Sequence, residues 1–365
     1  MAKRFVFIAS AALLASMFSS CATESSQTSA PASVSSQTSA PASVSSQTSA
    51  PASVSSQTSA PASVSSQTSA PVAVSSVTEI TTPKKVVKDY TVGEEEIMYI
   101  SGGRLTVEKG VEFAVTGGLE ISDDGVLCVC GDVDITGDVV LHSGSIVIMD
   151  GGSIDLSGKL EIDENSSVSG DGVLNVSESF DDIVCGGSVT ANIGAPEPVK
   201  RDGVTYVGDI LLVNKKYDLP ESYGNGINSD AYSAFLRMKE ESGFDMTIVS
   251  GYRSYEKQES TFKFWCDRDG YEAAVMYSAK PGHSEHQTGL AIDVTSIETD
   301  YAETEEGRWL AENCHKYGFI IRYPENKTDI TGYIYEPWHI RYLGESTARL
   351  VHDSGLCLEE FLGLV

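Results

Sequence analysis

Short alternating strands recur between Tyr90 and Asn192, with neighbouring strand centres 6–8 residues apart. Leu105-Thr-Val107, Phe113-Ala-Val115, Leu119-Glu-Ile121, Val133-Asp-Ile135, Ile146-Val-Ile148, Ile154-Asp-Leu156, Leu160-Glu-Ile162 and Leu174-Asn-Val176 each turn two apolar residues to one face. Gly-Gly, Asp-Gly, Gly-Asp and Ser-Gly pairs separate them. Strands this short do not easily make a hairpin sandwich, but they can stack as rungs of a parallel β-helix. The pattern predicts an all-β, solenoid-like module over residues 89–195, of about three or four coils. A β-sandwich is the competing reading. Cys128 and Cys130, two apart on one strand, are expected on one face as core thiols pointing inward. No disulfide is expected, since both large modules can bury adequate cores.

Charge divides the chain. Residues 91–195 carry 20 acids and 3 bases, residues 196–365 carry 29 and 17, and residues 25–75 carry none. The formal net charge of −27 argues against nucleic-acid binding, which needs cations facing phosphates. It also argues against docking on an anionic lipid surface.

The N-terminus reads as an export signal: Lys3 and Arg4, then an apolar stretch from Phe5 to Phe18, then Ser19, Ser20 and Cys21. Small residues before a cysteine resemble a bacterial lipoprotein processing site, with Phe18 where leucine is usual. Residues 1–21 are therefore expected to be a signal peptide with lipidation at Cys21. A cleaved secretory leader or an uncleaved anchor are the alternatives, and each puts the protein outside the cytoplasm. From Ser25 the decamer SSQTSAPASV recurs five times to Val74, the last copy reading SSQTSAPVAV. It has no charge or aromatic residue and one proline per copy, too little apolar surface to offset the entropy of ordering. Residues 22–88 are expected to be a disordered tether and passive spacer.

Chemistry gathers in residues 196–365, where the pattern becomes α+β. Helices are expected over 230–241, 254–266 and 305–317, and strands over 246–249, 290–294 and 334–342. Five of the six histidines lie here. Ser284-Glu-His286-Gln-Thr-Gly-Leu-Ala-Ile-Asp293 and Glu336-Pro-Trp-His339 together offer two imidazoles and two carboxylates. A catalytic zinc takes three protein ligands, keeps a position open for water, and wants a base beside that water. Thr288-Gly289 lets His286 and Asp293 converge from a loop and a strand. Pro337 in a strand implies an edge or a bulge, and a bulge would turn Glu336 and His339 to one site. His283 is expected at the pocket rim, Arg341 in a structural role, and His142, His315 and His352 at the surface or in packing.

Ser250-Gly-Tyr-Arg-Ser254, Pro281-Gly-His-Ser-Glu-His-Gln-Thr-Gly-Leu-Ala-Ile-Asp293 and Glu336-Pro-Trp-His-Ile-Arg-Tyr342 resemble the motifs of VanY-type D-alanyl-D-alanine carboxypeptidases, as does the approach segment 208–220. The resemblance covers roughly residues 200–350. It implies one Zn2+ held by His286, Asp293 and His339, with Glu336 as the base that activates water and Arg253 stabilising the oxyanion. It places Gln258 and Ser284 at the substrate's D-Ala end, with Tyr252 and Trp338 lining the pocket. The implied activity is removal of the terminal D-Ala from peptidoglycan stem peptides, outside the cytoplasm and at the membrane through a lipid anchor. Two alternatives stand beside it. One is an L,D-carboxypeptidase acting on the tetrapeptide stem. The other is a wall-binding or adhesin protein whose solenoid carries the function.

Overall fold

The computed structural model describes residues 76–365. The expected signal peptide, Cys21 and the decamer repeats lie outside the described residues. Three six-stranded parallel sheets form a β-solenoid, each coil giving one strand to each sheet. In the first sheet Met98, Leu119, Val139, Leu160 and Ile183 stack as successive partners, 20 to 23 residues apart. They belong to a continuous apolar column inside the coil. The sandwich reading is excluded, and the coils number six rather than three or four because each takes only about 21 residues. The first coil begins earlier than expected. Ser76–Ile80 and Lys84–Val86 fall in the segment read as tether, yet pair in parallel with Glu96–Ser101 and Arg104–Val107. Their few apolar residues suffice because the next coil offers a complete row of backbone partners.

Gly117, Gly137 and Gly158 stack at one corner of the solenoid. A Cβ on Gly137 would sit 1.8 Å from the Gly117 carbonyl oxygen, so only glycine lets the coils approach there. The cysteines point the other way from expectation. Leu127 and Val129 fill the interior of their strand, so Cys128 and Cys130 have outward parity. Cys128 is covered by its ladder neighbours Thr106 and Val147.

The C-terminal α+β part begins with the antiparallel strands Val199–Arg201, Val204–Val207 and Ile210–Leu212. Helix Ser229–Ser242 follows, its first turn capped by the Asn228 side chain, which accepts from the Asp230 and Ala231 amides. Helix Tyr255–Asp269 is capped by Ser254. A four-stranded antiparallel sheet runs in the order Ile248–Ser250, Ala291–Val294, Glu336–Tyr342, Phe319–Tyr323. One face packs Ile292, Val294, Trp338 and Ile340 against Phe235, Met238 and Leu310. The Glu336–Tyr342 strand is interior, so Pro337 does not mark an edge. The register shifts between Ile321 and Tyr323 opposite it, which is the bulge alternative.

The solenoid and the α+β part share a core. Ala348, Leu350 and Val351 of helix Glu345–Ser354, with Leu358, Phe361 and Leu362, belong to the same apolar cluster as the solenoid column. Phe180, in the turn that leads into the last coil, meets Phe361 at 5.3 Å between ring centroids. Asp209 accepts a hydrogen bond from the Phe180 amide at 2.9 Å.

Two stability predictions follow from this packing. Phe361→Ala should cost about 3–5 kcal/mol. Because the core is shared, calorimetry of the full chain should show solenoid and α+β part melting in one lowered transition. The second concerns His315, which is buried and stacked on His352 at 3.7 Å between centroids. Burial, then the charge of His352, holds it down to about 4 from an ordinary 6.5. As pH falls from 6.5 to 4 the unfolded chain takes up a proton that the folded chain refuses, so stability is lost across that window. His315→Leu should lose less stability than wild type over the same window in denaturant titrations.

Candidate metal centre

Asp293 and His339 are partners across the central strand pair, so their side chains leave the sheet side by side on the face opposite Ile292 and Ile340. His286 reaches them from a single turn, Glu285–Thr288, which ends at Gly289 with φ +76°. A Cβ on Gly289 would lie 2.2 Å from the Gly226 carbonyl oxygen, which explains the glycine between the two ligand positions. His286 Nε2 lies 3.2 Å from Asp293 Oδ2, and His339 Nδ1 lies 3.2 Å from Asp293 Oδ1. One donor atom from each of the three buried residues falls within 4.8 Å of the others.

The tautomers suit ligation. His286 Nδ1 is 2.7 Å from the Gly251 carbonyl, which can only accept, so the Nε2 lone pair faces Asp293. His339 Nε2 faces Glu285 Oε2 at 3.4 Å, leaving Nδ1 turned to Asp293. Asp293 Oδ1 is buried with no hydrogen-bond partner. Two imidazoles and a carboxylate with converging lone pairs fit the donor set of a catalytic zinc.

Glu336 stands beside this set, Oε2 at 3.6 Å from His339 Nδ1. Burial, and then the charge of Asp293, pushes its carboxyl up to about 8. His339 is raised to about 9; burial opposes its charge, but Asp293 and Glu285 outweigh burial. Asp293, despite burial, is held well below the usual carboxylate range by His286 and His339. The pocket is thus crowded with carboxylates, and a dication among the lone pairs would balance them where protons otherwise must.

Arg253 enters from the loop before helix Tyr255–Asp269. Its Nη2 donates to Ser250 Oγ at 2.8 Å and lies 3.9 Å from Asp293 Oδ2. Its Nη1 donates to Gln258 Oε1 at 2.8 Å. The Gln258 amide nitrogen donates to the Ala279 carbonyl. With both ends engaged inside the fold, Gln258 positions Arg253. Ser284 is buried just before the ligand turn. The Tyr252 hydroxyl donates to the Gly224 carbonyl at 2.9 Å. Trp338 departs from expectation: alternation along its strand puts it in the apolar cluster, on the opposite face from His339. His283 lines a neighbouring cavity, and Arg341 is structural, as its sequence position suggested.

The family model for VanY, D-alanyl-D-alanine carboxypeptidase, matches residues 225–345. A D-alanyl-D-alanine carboxypeptidase of Enterococcus faecalis (strain ATCC 700802 / V583) is 35% identical over 184 residues, covering 45% of this chain and 69% of that protein. The chain belongs to the VanY family. YodJ of Bacillus subtilis (strain 168), a carboxypeptidase by name, is 39% identical over 180 residues, covering 42% of this chain and 66% of its own. Only 56% of a D-alanyl-D-alanine carboxypeptidase from Enterococcus faecium is spanned. Among solved structures, the L,D-carboxypeptidase DacB of Streptococcus pneumoniae is 39% identical with a TM-score of 0.42, covering 46% of this chain and 96% of that one.

This VanY-family chain holds its ligands with a charge network that sequence reasoning missed. Glu285 Oε1 accepts from Arg322 Nε at 2.7 Å and Arg341 Nη1 at 2.8 Å, all three side chains essentially without exposure. Arg322 also donates to both oxygens of Glu359, from the C-terminal Leu358–Phe361 turn. Asn214 donates to Glu359 as well. Burial notwithstanding, Arg322 and Arg341 hold Glu285 far below its ordinary value. A signal did exist: Arg322 interrupts the apolar run Phe319-Ile-Ile-Arg-Tyr323, where an unpaired cation could not be buried.

Glu285→Gln should therefore cost about 3–5 kcal/mol of stability. It should also weaken zinc binding about 10–100-fold in chelator competition, because His339 loses its orienting carboxylate. Glu359→Gln should destabilise comparably while changing zinc affinity less, since it touches His339 only through Arg322 and Glu285.

Proposed function

We propose that this protein is a zinc-dependent carboxypeptidase that removes the terminal D-Ala from peptidoglycan stem peptides, with D-alanyl-D-alanine ends as the preferred substrate. The observation that carries the reading is the convergence of His286, Asp293 and His339 with Glu336 and Arg253 beside them. Relatives named D-alanyl-D-alanine carboxypeptidases support the D,D assignment. The expected export signal and lipidated Cys21 would hold the enzyme where such substrates lie.

A bound zinc supplies Lewis acidity, making water a better nucleophile near neutral pH and a carbonyl a better electrophile. The protein's own groups do the rest. The Glu336 carboxylate takes the proton from the attacking water. The Arg253 guanidinium, fixed in advance by Ser250 and Gln258, stabilises charge growing on the carbonyl oxygen without reorganising. Glu336 then gives its proton to the amine of the departing D-Ala. None of these groups reads the configuration of the residue on the acyl side of the bond, so the tetrapeptide is the competing substrate to test.

The full chain, loaded with zinc, would be incubated with pentapeptide and tetrapeptide muropeptides and the products read by mass spectrometry. Loss of one D-Ala from the pentapeptide is expected, with kcat reduced about 10²–10⁴-fold in Glu336→Gln. Cleavage of the tetrapeptide alone would make the enzyme an L,D-carboxypeptidase. Turnover of neither by zinc-loaded protein would refute the carboxypeptidase reading.

A further inference from the structure

Most cations of the α+β part sit against carboxylates: Arg237 on Glu345, Lys239 on Asp245, Lys263 on Asp267, Arg268 on Asp269, Lys327 on Glu360. Lys215 and Lys280 do not. They line a cavity of about 250 Å³ together with Ser278, His283, Tyr271 and Tyr333, and no carboxylate contributes to its wall. Lys215 is fixed in place: its Nζ donates to the carbonyls of Val275 and Gly332 and lies 4.5 Å from the centre of the Tyr333 ring. Lys280 is exposed, its Nζ 5.5 Å from the centre of the Tyr271 ring. Desolvation and the nearby charge of Lys280 both lower the Lys215 pKa. His283 Nδ1 is held by the Asn214 carbonyl at 2.8 Å.

Both walls of the cavity run to the metal centre. Ser278 meets Gln258, which holds Arg253 beside Asp293. Tyr333 packs at a tilt against Tyr323 with 4.6 Å between ring centroids, and Tyr323 does the same against His339 at 4.9 Å. A peptide whose scissile bond lies at the metal centre would therefore carry its flanking groups toward this cavity. Two ammonium groups side by side, unbalanced by any acid in the wall, repel one another until an anion joins them.

We propose that this cavity is a subsite for a substrate carboxylate next to the scissile bond, with Lys280 as its mobile cation and Lys215 as its fixed one. The proposal rests on the peptidase reading above. A stem peptide offers such a group from two sources: its free C-terminus, and an acidic residue upstream of the cleaved bond. The cavity discriminates by charge, so it bears on KM more than on kcat.

The test uses the full zinc-loaded chain as wild type, Lys280→Ala, Lys280→Glu and Lys280→Arg. Its substrates are a pentapeptide stem with a free upstream carboxylate, the same peptide with that carboxylate amidated, and a short acylated peptide ending in D-Ala-D-Ala with no upstream acid. On the responsive peptides, Lys280→Ala should raise KM about tenfold and Lys280→Glu further, while Lys280→Arg restores most of the affinity. If the charge effect appears only with the free upstream carboxylate, that group occupies the subsite. If it appears equally on all three peptides, the C-terminus does. Unchanged KM for Lys280→Ala and Lys280→Glu on every peptide would overturn the proposal. Should wild type cleave none of them, the peptidase reading has failed separately. Calorimetric titration of the same peptides into Glu336→Gln, with and without Lys280→Glu, then decides the subsite, and equal affinities would overturn it.

Discussion

Glu285 has no exposed surface, yet it remains ionised because Arg322 and Arg341 share one of its oxygens while the other faces the ring of His339. A buried carboxylate is costly unless every charge around it is matched. Here the match requires three separate parts of the chain to arrive in register: the ligand turn at Glu285–Thr288, the strand carrying Arg322, and the strand carrying Arg341. Arg322 is in turn neutralised by Glu359, which lies beyond the 225–345 family match. The metal site is thereby tied to the end of the chain.

That end is also where the solenoid is fastened. The turn bearing Glu359 carries Phe361, which packs on Phe180 at the entrance to the last coil. A contact path thus runs from the solenoid core through Phe180, Phe361, Glu359, Arg322 and Glu285 to His339. Phe361 and Glu359 share one helical turn, and every other step is an observed packing contact, hydrogen bond or facing ion pair. A solenoid joined in this way differs from a domain on a flexible linker, since its removal would expose the apolar side of the element that completes the charge network. The sequence pattern delimits the module over residues 89–195 as a unit of its own. Its shared core makes it part of the platform that holds the catalytic geometry.

What the sequence displayed and what it hid divide along physical lines. Period-two alternation exposed the solenoid because each rung obeys the same local rule, yet the number of coils depended on the corner spacing. That spacing is set by close approaches such as Gly137 on Gly117, which leave little trace in hydropathy. The ligands were visible because His286, Asp293, Glu336 and His339 sit in compact clusters. The hold of Gln258 on Arg253 and the facing of Trp338 were hidden for a different reason. Gln258 turned out to have both amide ends engaged within the fold, and Trp338 to lie on the core face of its strand, facts fixed by tertiary pairing and not by neighbouring residues. Glu359 was invisible because its partner is 37 residues away on another element.

The acidic character of the chain sets a problem that the site must solve locally. A net charge of −27 repels any substrate bearing carboxylates, and the solenoid, with 20 acids against 3 bases over residues 91–195, contributes much of it. At physiological salt that repulsion is screened beyond about 8 Å, so a substrate that has reached the pocket responds mainly to the groups within it. There the balance reverses: Arg253 beside the donor set, Lys215 and Lys280 in the adjoining cavity, and a dication among His286, Asp293 and His339 would make a compact positive region in a negative protein. Low-dielectric surroundings strengthen those short-range attractions while the surface charge acts only weakly at that range. Attraction for an anionic peptide end can thus arise on a polyanionic scaffold, provided the cations gather at the pocket and the acids are spent on them or turned outward.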